Sequence, residues 1–370
     1  METPGEYIKG LLVEKDWTQD DFSQILDLSL KHTNELLKDK RNLTFEQISD
    51  IISIFELNDT SRNKFIKLNI SFRSSQIARN QEVENKAKLF DLLPIGEMVK
   101  KGWLEKEKTF NGYLKNINKV LGILTNSIDD LKLQLASPEF INFRNIEISS
   151  SVASDNNRIA WYLYAKKHAT GFKNLPVYDN KKLKILFENI SEYTNFTKVE
   201  EGIAEFLKKL NDCGVRFVFL SHLTKTYTEG AAFDSEYGPV IALTGRTNKI
   251  DTFWFNMGHE IIHILEEHYK CKVMIDNENS LSKSTTDPHE MLANKLSSES
   301  LKGNLILNHF RKFFNYIPES EIMKFSEQNG IHPSIIAGRL AWEKMLPFSA
   351  TYKYKETIKD KIPKKYLLEG

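Results

Sequence analysis

The stretch FWFNMGHEIIHILEEH, residues 253–268, constrains the fold of this chain more tightly than any other. Within it, His259-Glu260-Ile261-Ile262-His263 matches the pattern H-E-x-x-H. On a helix, residues four apart project from nearly one face, so His259 and His263 would bring two imidazoles to the separation that a single tetrahedral zinc ion accepts. Glu260 adjoins His259 and is placed to act as a general base, taking a proton from a water whose pKa zinc lowers to about 7. Two protein ligands do not complete such a site, so the chain must fold back and supply a third. His268, Cys271, His289 and Glu290 are within reach. On a continuous helix His268 would point away from the metal face, and Cys271 reads as a small apolar filler. Asp287-Pro288-His289-Glu290 has the form of a capping box with proline at the first helical position, so Glu290 taken alone reads as a cap.

The rest of the chain sets the frame for that motif. Its 370 residues are enough for two or three domains, and 41% hydrophobic with 27% charged residues is the balance of a globular protein. No apolar run approaches the roughly 18 residues of a membrane span, so no membrane partner is expected. The start METPGEYIKG lacks the charged-then-apolar pattern of a secretory signal, and two cysteines are too few for a disulfide framework. Both point to the cytoplasm. A net charge of +1 implies no whole-molecule attraction to nucleic acid, so any such binding has to be local.

The first 75 residues carry four helix starts in close succession. Thr3-Pro4-Gly5-Glu6 reads as a capping box, and Thr18, Ser29 and Thr44 precede further amphipathic runs. Only Asp27-Leu28-Ser29 separates the second and third of these helices, the tight connection of a helix-turn-helix. In the third, Thr33, Leu36 and Leu37 have the spacing of a buried face, leaving Lys31, His32, Asn34 and Lys38 outward. Asn34 could read adenine, Lys31 could reach guanine or a phosphate, and Lys40 and Arg41 suit phosphate clamping. A small helical bundle for partner binding is the alternative. Residues 1–75 hold 10 Lys and Arg against 13 Asp and Glu, whereas residues 61–88 hold 7 against 2. A DNA-binding domain is expected to be basic overall, so the phosphate attraction would have to come in part from that second segment.

TPGEYIKGLLVEKDWTQDDFSQILDLSLKHTNELLKDKRNLT resembles the HigA-type antidote proteins of the Cro/repressor-like (XRE) helix-turn-helix class. The resemblance implies a DNA-binding domain that pairs into homodimers on palindromic operators. It departs from the family in the turn, where Asp27 stands in place of the usual glycine; aspartate tolerates left-handed backbone better than most residues.

Residues 76–150 read as a helical connector broken at Pro94. From 151 to 370 the order is a helix, NNRIAWYLYAKKHA, a second helix closed by Gly214, the strands VRFVFLS and PVIALTG, and then the metal helix, which together describe an α+β unit.

IDTFWFNMGHEIIHILEEH followed by EMLANKL resembles the ImmA/IrrE metallopeptidases, whose zincin-like domain completes the zinc site with a glutamate that opens a later helix. The resemblance implies His259, His263 and Glu290 as the ligands of one zinc ion per chain, Glu260 as the catalytic base and Asn294 as a group orienting a ligand. PVIALTGR resembles the family's strand before the metal helix, an edge strand on which the substrate would lie. Tyr237, Arg246 and Tyr269 are candidates to stabilise an oxyanion, and His332 in the tail IHPSIIAGRLAWEK is a histidine of structural type. The function expected is a cytoplasmic regulator joining a DNA-binding domain to a zinc-dependent endopeptidase that cuts a partner repressor or other regulatory protein. The alternative is a non-proteolytic antitoxin that binds a toxin and its own operator, with the metallopeptidase fold as scaffold.

Overall fold

The computed structural model describes residues 2–137, 152–195, 198–271, 274–277, 285–313 and 316–368, with the backbone alone at 77–80, 152–154, 271 and 274–277. The chain is mostly helical with one small mixed sheet, and among the described residues no helix is long and apolar enough to cross a membrane. It divides into two compact units, Met1–Ala87 and Lys88–Gly370.

The first unit begins with α1 (Pro4–Glu14), α2 (Gln19–Ile25), α3 (Leu30–Leu37) and α4 (Phe45–Ile54), followed by α5 (Asp59–Leu92), whose last turns belong to the second unit. Each of the four starts has its expected cap. Thr3, Thr18, Ser29 and Thr44 accept hydrogen bonds from the backbone N–H groups of Glu6, Asp21, His32 and Gln47. Ile8, Leu12, Phe22, Leu36, Leu37, Ile51 and Phe65 form the core. In the turn between α2 and α3, Asp27 takes φ +50°, the left-handed conformation for which the usual glycine is suited. The Leu28 N–H donates to the Ser23 carbonyl at 2.8 Å, and that of Asp27 to Gln24 at 3.2 Å, so the end of α2 is a Schellman turn. Gly5 lets α1 reach the end of α3, since a Cβ there would stand 2.5 Å from the Leu37 carbonyl oxygen.

The second unit is built around a five-stranded sheet. Its strands are β1 (Arg216–Leu220), β2 (Thr228–Phe233), β3 (Val240–Thr244), β4 (Met274–Asn277) and the two-residue β5 (Leu367–Leu368), in the order β4-β2-β3-β1-β5. β1 is parallel to β3 and β5, while β2 is antiparallel to β3 and β4. Every residue of β1, β2 and β3 is buried, which requires cover on both faces. Successive side chains point to opposite faces, and the two cores follow that alternation.

Val218, Leu220, Ala231, Phe233 and Ala242 share one core with α6 (Ile95–Lys100), α7 (Phe110–Leu121), α8 (Ile128–Leu135) and α9 (Val152–Ala169). Residues 95–135, which the sequence presents as part of a connector, thus help to cover a face of the sheet; residues 138–150 of that segment lie outside the described residues. Phe217, Phe219, Ala232, Ile241 and Leu243 belong to the other core. It also draws on α10 (Asn180–Glu188), α11 (Val199–Asp212), α12 (Ile250–Leu265), α14 (Pro288–Ser300), α15 (Gly303–Phe310), α16 (Glu319–Asn329) and α17 (Pro333–Trp342). The short α13 (His268–Cys271) lies between α12 and β4.

Two strands differ from the sequence reading. PVIALTG forms β3, which lies between β2 and β1 instead of at an edge. β2, TEGAAF, carries too little β-branched or aromatic character to announce itself, yet it lies against α12, the helix that carries His259 and His263.

Candidate metal centre

α12 is apolar on most of its surface. Ile250, Phe253, Trp254, Met257, Ile261, Ile262 and Ile264 are all buried, so the helix is fixed within the core and its polar residues are held where they stand. His259 and His263 are fully buried, and Glu260 is 1% exposed. α14 packs along α12, with the Ser297 hydroxyl donating to the Phe255 carbonyl at 2.7 Å. A Cβ at Gly258 would meet that same serine oxygen at 2.7 Å, so the glycine sets how closely the two helices approach.

This packing brings Glu290 to the histidines. Asp287 caps α14 by accepting from the His289 N–H at 2.8 Å, and the carboxylate of Glu290 turns inward. Its Oε2 lies 3.2 Å from Nε2 of His259 and its Oε1 lies 3.6 Å from Nε2 of His263. The two Nε2 atoms are 2.9 Å apart. Ligands held at about 2.0–2.1 Å around a tetrahedral ion stand roughly 3.3 Å from one another, so these separations suit three ligands of one ion. Two imidazole nitrogens and a carboxylate oxygen are also a donor set that zinc and similar divalent metals accept. The buried group His259, His263 and Glu290 could therefore hold a metal ion. Burial opposes ionisation of Glu290, but hydrogen bonds from His259 and His263 outweigh it and hold the carboxyl well below the usual carboxylate range.

Glu260, next to His259, faces strand β2. A Cβ added at Gly230 would stand 2.2 Å from its Oε1, so the absence of a side chain on the strand makes the space for this carboxylate. Nothing in the sequence reading singled out Gly230; a glycine inside a run of small residues gave no signal until the strand and the helix were seen together.

The other expected site residues are spread around the unit. Asn294, one turn beyond Glu290, is half-buried and lines a cavity of about 500 Å³ together with Asn256. Arg246 is paired with Glu229, the neighbour of Gly230 in β2. Tyr237 lies in the turn between β2 and β3, its ring 5.7 Å from the Lys173 ammonium and 5.9 Å from the Arg216 guanidinium. Tyr269 is buried in the core beside α12, and burial, with Asp234 and Glu267 nearby, pushes its hydroxyl up to about 12. His332 caps α17, accepting from the Ser334 N–H at 3.2 Å, with Glu356 3.2 Å from its other nitrogen.

His268 departs from its expected position. α12 ends at Leu265, Glu267 takes φ +58°, and the reversal brings His268 back beside His263, their Nδ1 atoms 3.1 Å apart. Burial first, then the neighbouring His289 and His263, push the His268 imidazole down to about 4. The side chain of Cys271 lies outside the described residues.

In the first unit, Thr33, Leu36 and Leu37 are buried as their spacing requires. Lys31, Asn34, Lys38, Lys40 and Arg41 are exposed and His32 is half-buried. Arg41 is 3.7 Å from Glu35 on α3.

No protein-family model matches this sequence, and no curated protein and no solved structure matches it.

Proposed function

We propose that the second unit is a zinc-dependent endopeptidase domain of the ImmA/IrrE type, joined to a helix-turn-helix domain that binds an operator, and that the whole acts as a transcriptional regulator which cuts a partner regulatory protein. The observation that carries this reading is the convergence of His259 Nε2, His263 Nε2 and the Glu290 carboxylate in a buried site, with Glu260 adjoining it. When bound, zinc supplies Lewis-acid polarisation of the scissile carbonyl. Glu260 is the group that takes the proton of the attacking water and passes it to the leaving amine. Its carboxylate is buried against Gly230 of β2, on the residue that follows His259 in α12. The N-terminal part of the reading rests on α2, the left-handed turn at Asp27 and α3, whose outward residues Lys31 and Asn34 would face base edges.

One observation favours a second reading. The Arg41 guanidinium has Glu35 beside it, and residues 1–75 are acidic on balance, 10 basic against 13 acidic. A non-proteolytic antitoxin of the HigA type, gripping a toxin as well as an operator, makes fewer demands on phosphate attraction.

Elemental analysis of the purified protein, with co-expression of the protein encoded beside it, separates the two. The endopeptidase reading expects close to one zinc per chain and cleavage of a neighbouring repressor that Glu260→Gln abolishes while the zinc remains. Stable complex formation with an intact small toxin, unaffected by Glu260→Gln, would establish the antitoxin instead.

A further inference from the structure

Three histidines form a continuous line from the metal centre to the surface. His263 Nδ1 is 3.1 Å from His268 Nδ1, and His268 Nε2 is 2.8 Å from His289 Nδ1. The line crosses three elements. His263 is in the last turn of α12, His268 opens α13, and His289 is in the first turn of α14, next to Glu290. His263 is fully buried, His268 half-buried and His289 exposed.

A neutral imidazole has one N–H and one acceptor nitrogen, so a chain of such rings admits few arrangements. The Nε2 of His263 faces His259 and Glu290, and a ligand nitrogen has to present its lone pair. With an ion bound, the proton of His263 is then on Nδ1, where it donates to Nδ1 of His268. That leaves the His268 proton on Nε2, where it donates to Nδ1 of His289. One choice of ligand atom therefore sets the tautomer of all three rings.

We propose that His268 is a positioning residue for the metal centre, holding His263 in the tautomer and ring orientation that turn Nε2 toward the ion, with His289 steadying His268 from the surface. This rests on the metal-binding reading above. A hydrogen bond to the remote nitrogen of a ligand histidine fixes its orientation and raises its basicity, and losing such a partner typically costs 10- to 100-fold in metal affinity.

The test is zinc affinity of the full-length protein, measured by competition with a chromophoric chelator, together with the visible spectrum of the cobalt(II) form. His268→Ala should weaken zinc by about 10- to 100-fold and shift the cobalt bands, with the melting midpoint of the metal-free protein unchanged. His268→Gln keeps an acceptor for the His263 Nδ1–H and should recover most of the affinity. His289→Ala, at an exposed position, should show a smaller loss. Wild-type affinity and spectrum in His268→Ala would overturn the proposal. So would equal losses in His268→Ala and His268→Gln accompanied by a lower metal-free melting midpoint, the mark of a purely structural role. A wild-type protein that takes up no zinc would overturn the metal-binding reading itself, a result visible before any substitution is made.

Discussion

The imidazole of His259 and the carboxylate of Glu290, 31 residues apart in sequence, stand 3.2 Å apart in the interior of the second unit. A glutamate whose only task was to cap α14 would have no reason to turn away from its helix end toward two buried imidazoles. Glu290→Ala is expected to weaken zinc binding by more than about 100-fold, beyond the effect of losing an outer-shell partner. Competition with a chelator measures it. Unchanged zinc affinity, with a stability loss of about 1 kcal/mol, would instead make Glu290 a cap.

A Cβ added at Gly230 would stand 2.2 Å from the Glu260 carboxylate oxygen across the strand–helix interface. Gly230→Ala must displace Glu260 or push β2 from α12. It should cost about 1–3 kcal/mol, as overpacking does, and reduce cleavage far more than zinc content. Thermal unfolding and metal analysis of the same preparation give both readings; an alanine variant with full activity would show that the strand yields freely.

Asp27 stands at φ +50° in the turn between α2 and α3. A left-handed conformation costs an L-residue other than glycine about 1 kcal/mol, and aspartate somewhat less. Asp27→Gly is therefore expected to raise the stability of the first unit slightly and leave operator binding in place. Chemical denaturation followed through that unit checks the sign.

The exposed face of α3 makes a directional prediction for DNA. Asn34→Ala should weaken protection of the operator by about 1–3 kcal/mol and relax preference at one base position. Lys40→Ala should weaken all sequences alike and reduce the salt dependence. Footprinting upstream of the protein's own gene distinguishes these outcomes, and protection indifferent to Asn34 would remove α3 from the role of recognition helix.

Four histidines of the second unit, His168, His222, His268 and His332, are held below their ordinary value chiefly by burial, His268 at about 4. The unfolded chain takes up protons on these rings near pH 6.5, where the folded chain resists them, so stability falls as pH falls below about 6.5. Glu290 acts in the same direction, because its lowered carboxyl contributes stability above the ordinary carboxylate value and loses it as pH falls. The melting midpoint of the metal-free protein should drop steadily from about pH 7.5 to about pH 5; a midpoint that rises over that range would contradict the burial of these rings.

Much of the local structure was legible in the sequence because its causes are local. Thr3, Thr18, Ser29 and Thr44 start helices through bonds to residues three positions on. The spacing of His259 and His263 decides that a helix places both on one face. The buried side of α3 and the left-handed tolerance of Asp27 are likewise properties of short segments.

What lay beyond that reach depends on contacts between distant segments. Sequence showed amphipathic helices at 95–135 but not the surface they cover, since an apolar stripe names no partner; the structure sets them against one face of the sheet. β2 was missed because its small residues have little strand preference, and its place beside α12 comes from pairing with β3 and β4. A continuous helix would point His268 away from His263, but the helix ends at Leu265 and a left-handed residue at Glu267 turns the chain back. The sequence by itself determined that His259, Glu260 and His263 lie together on one helix. Only the tertiary packing of α14 on α12, set by the small residues Gly258 and Ser297, decided that Glu290 faces them, because burying both apolar surfaces leaves its carboxylate no partner as good as the two imidazoles.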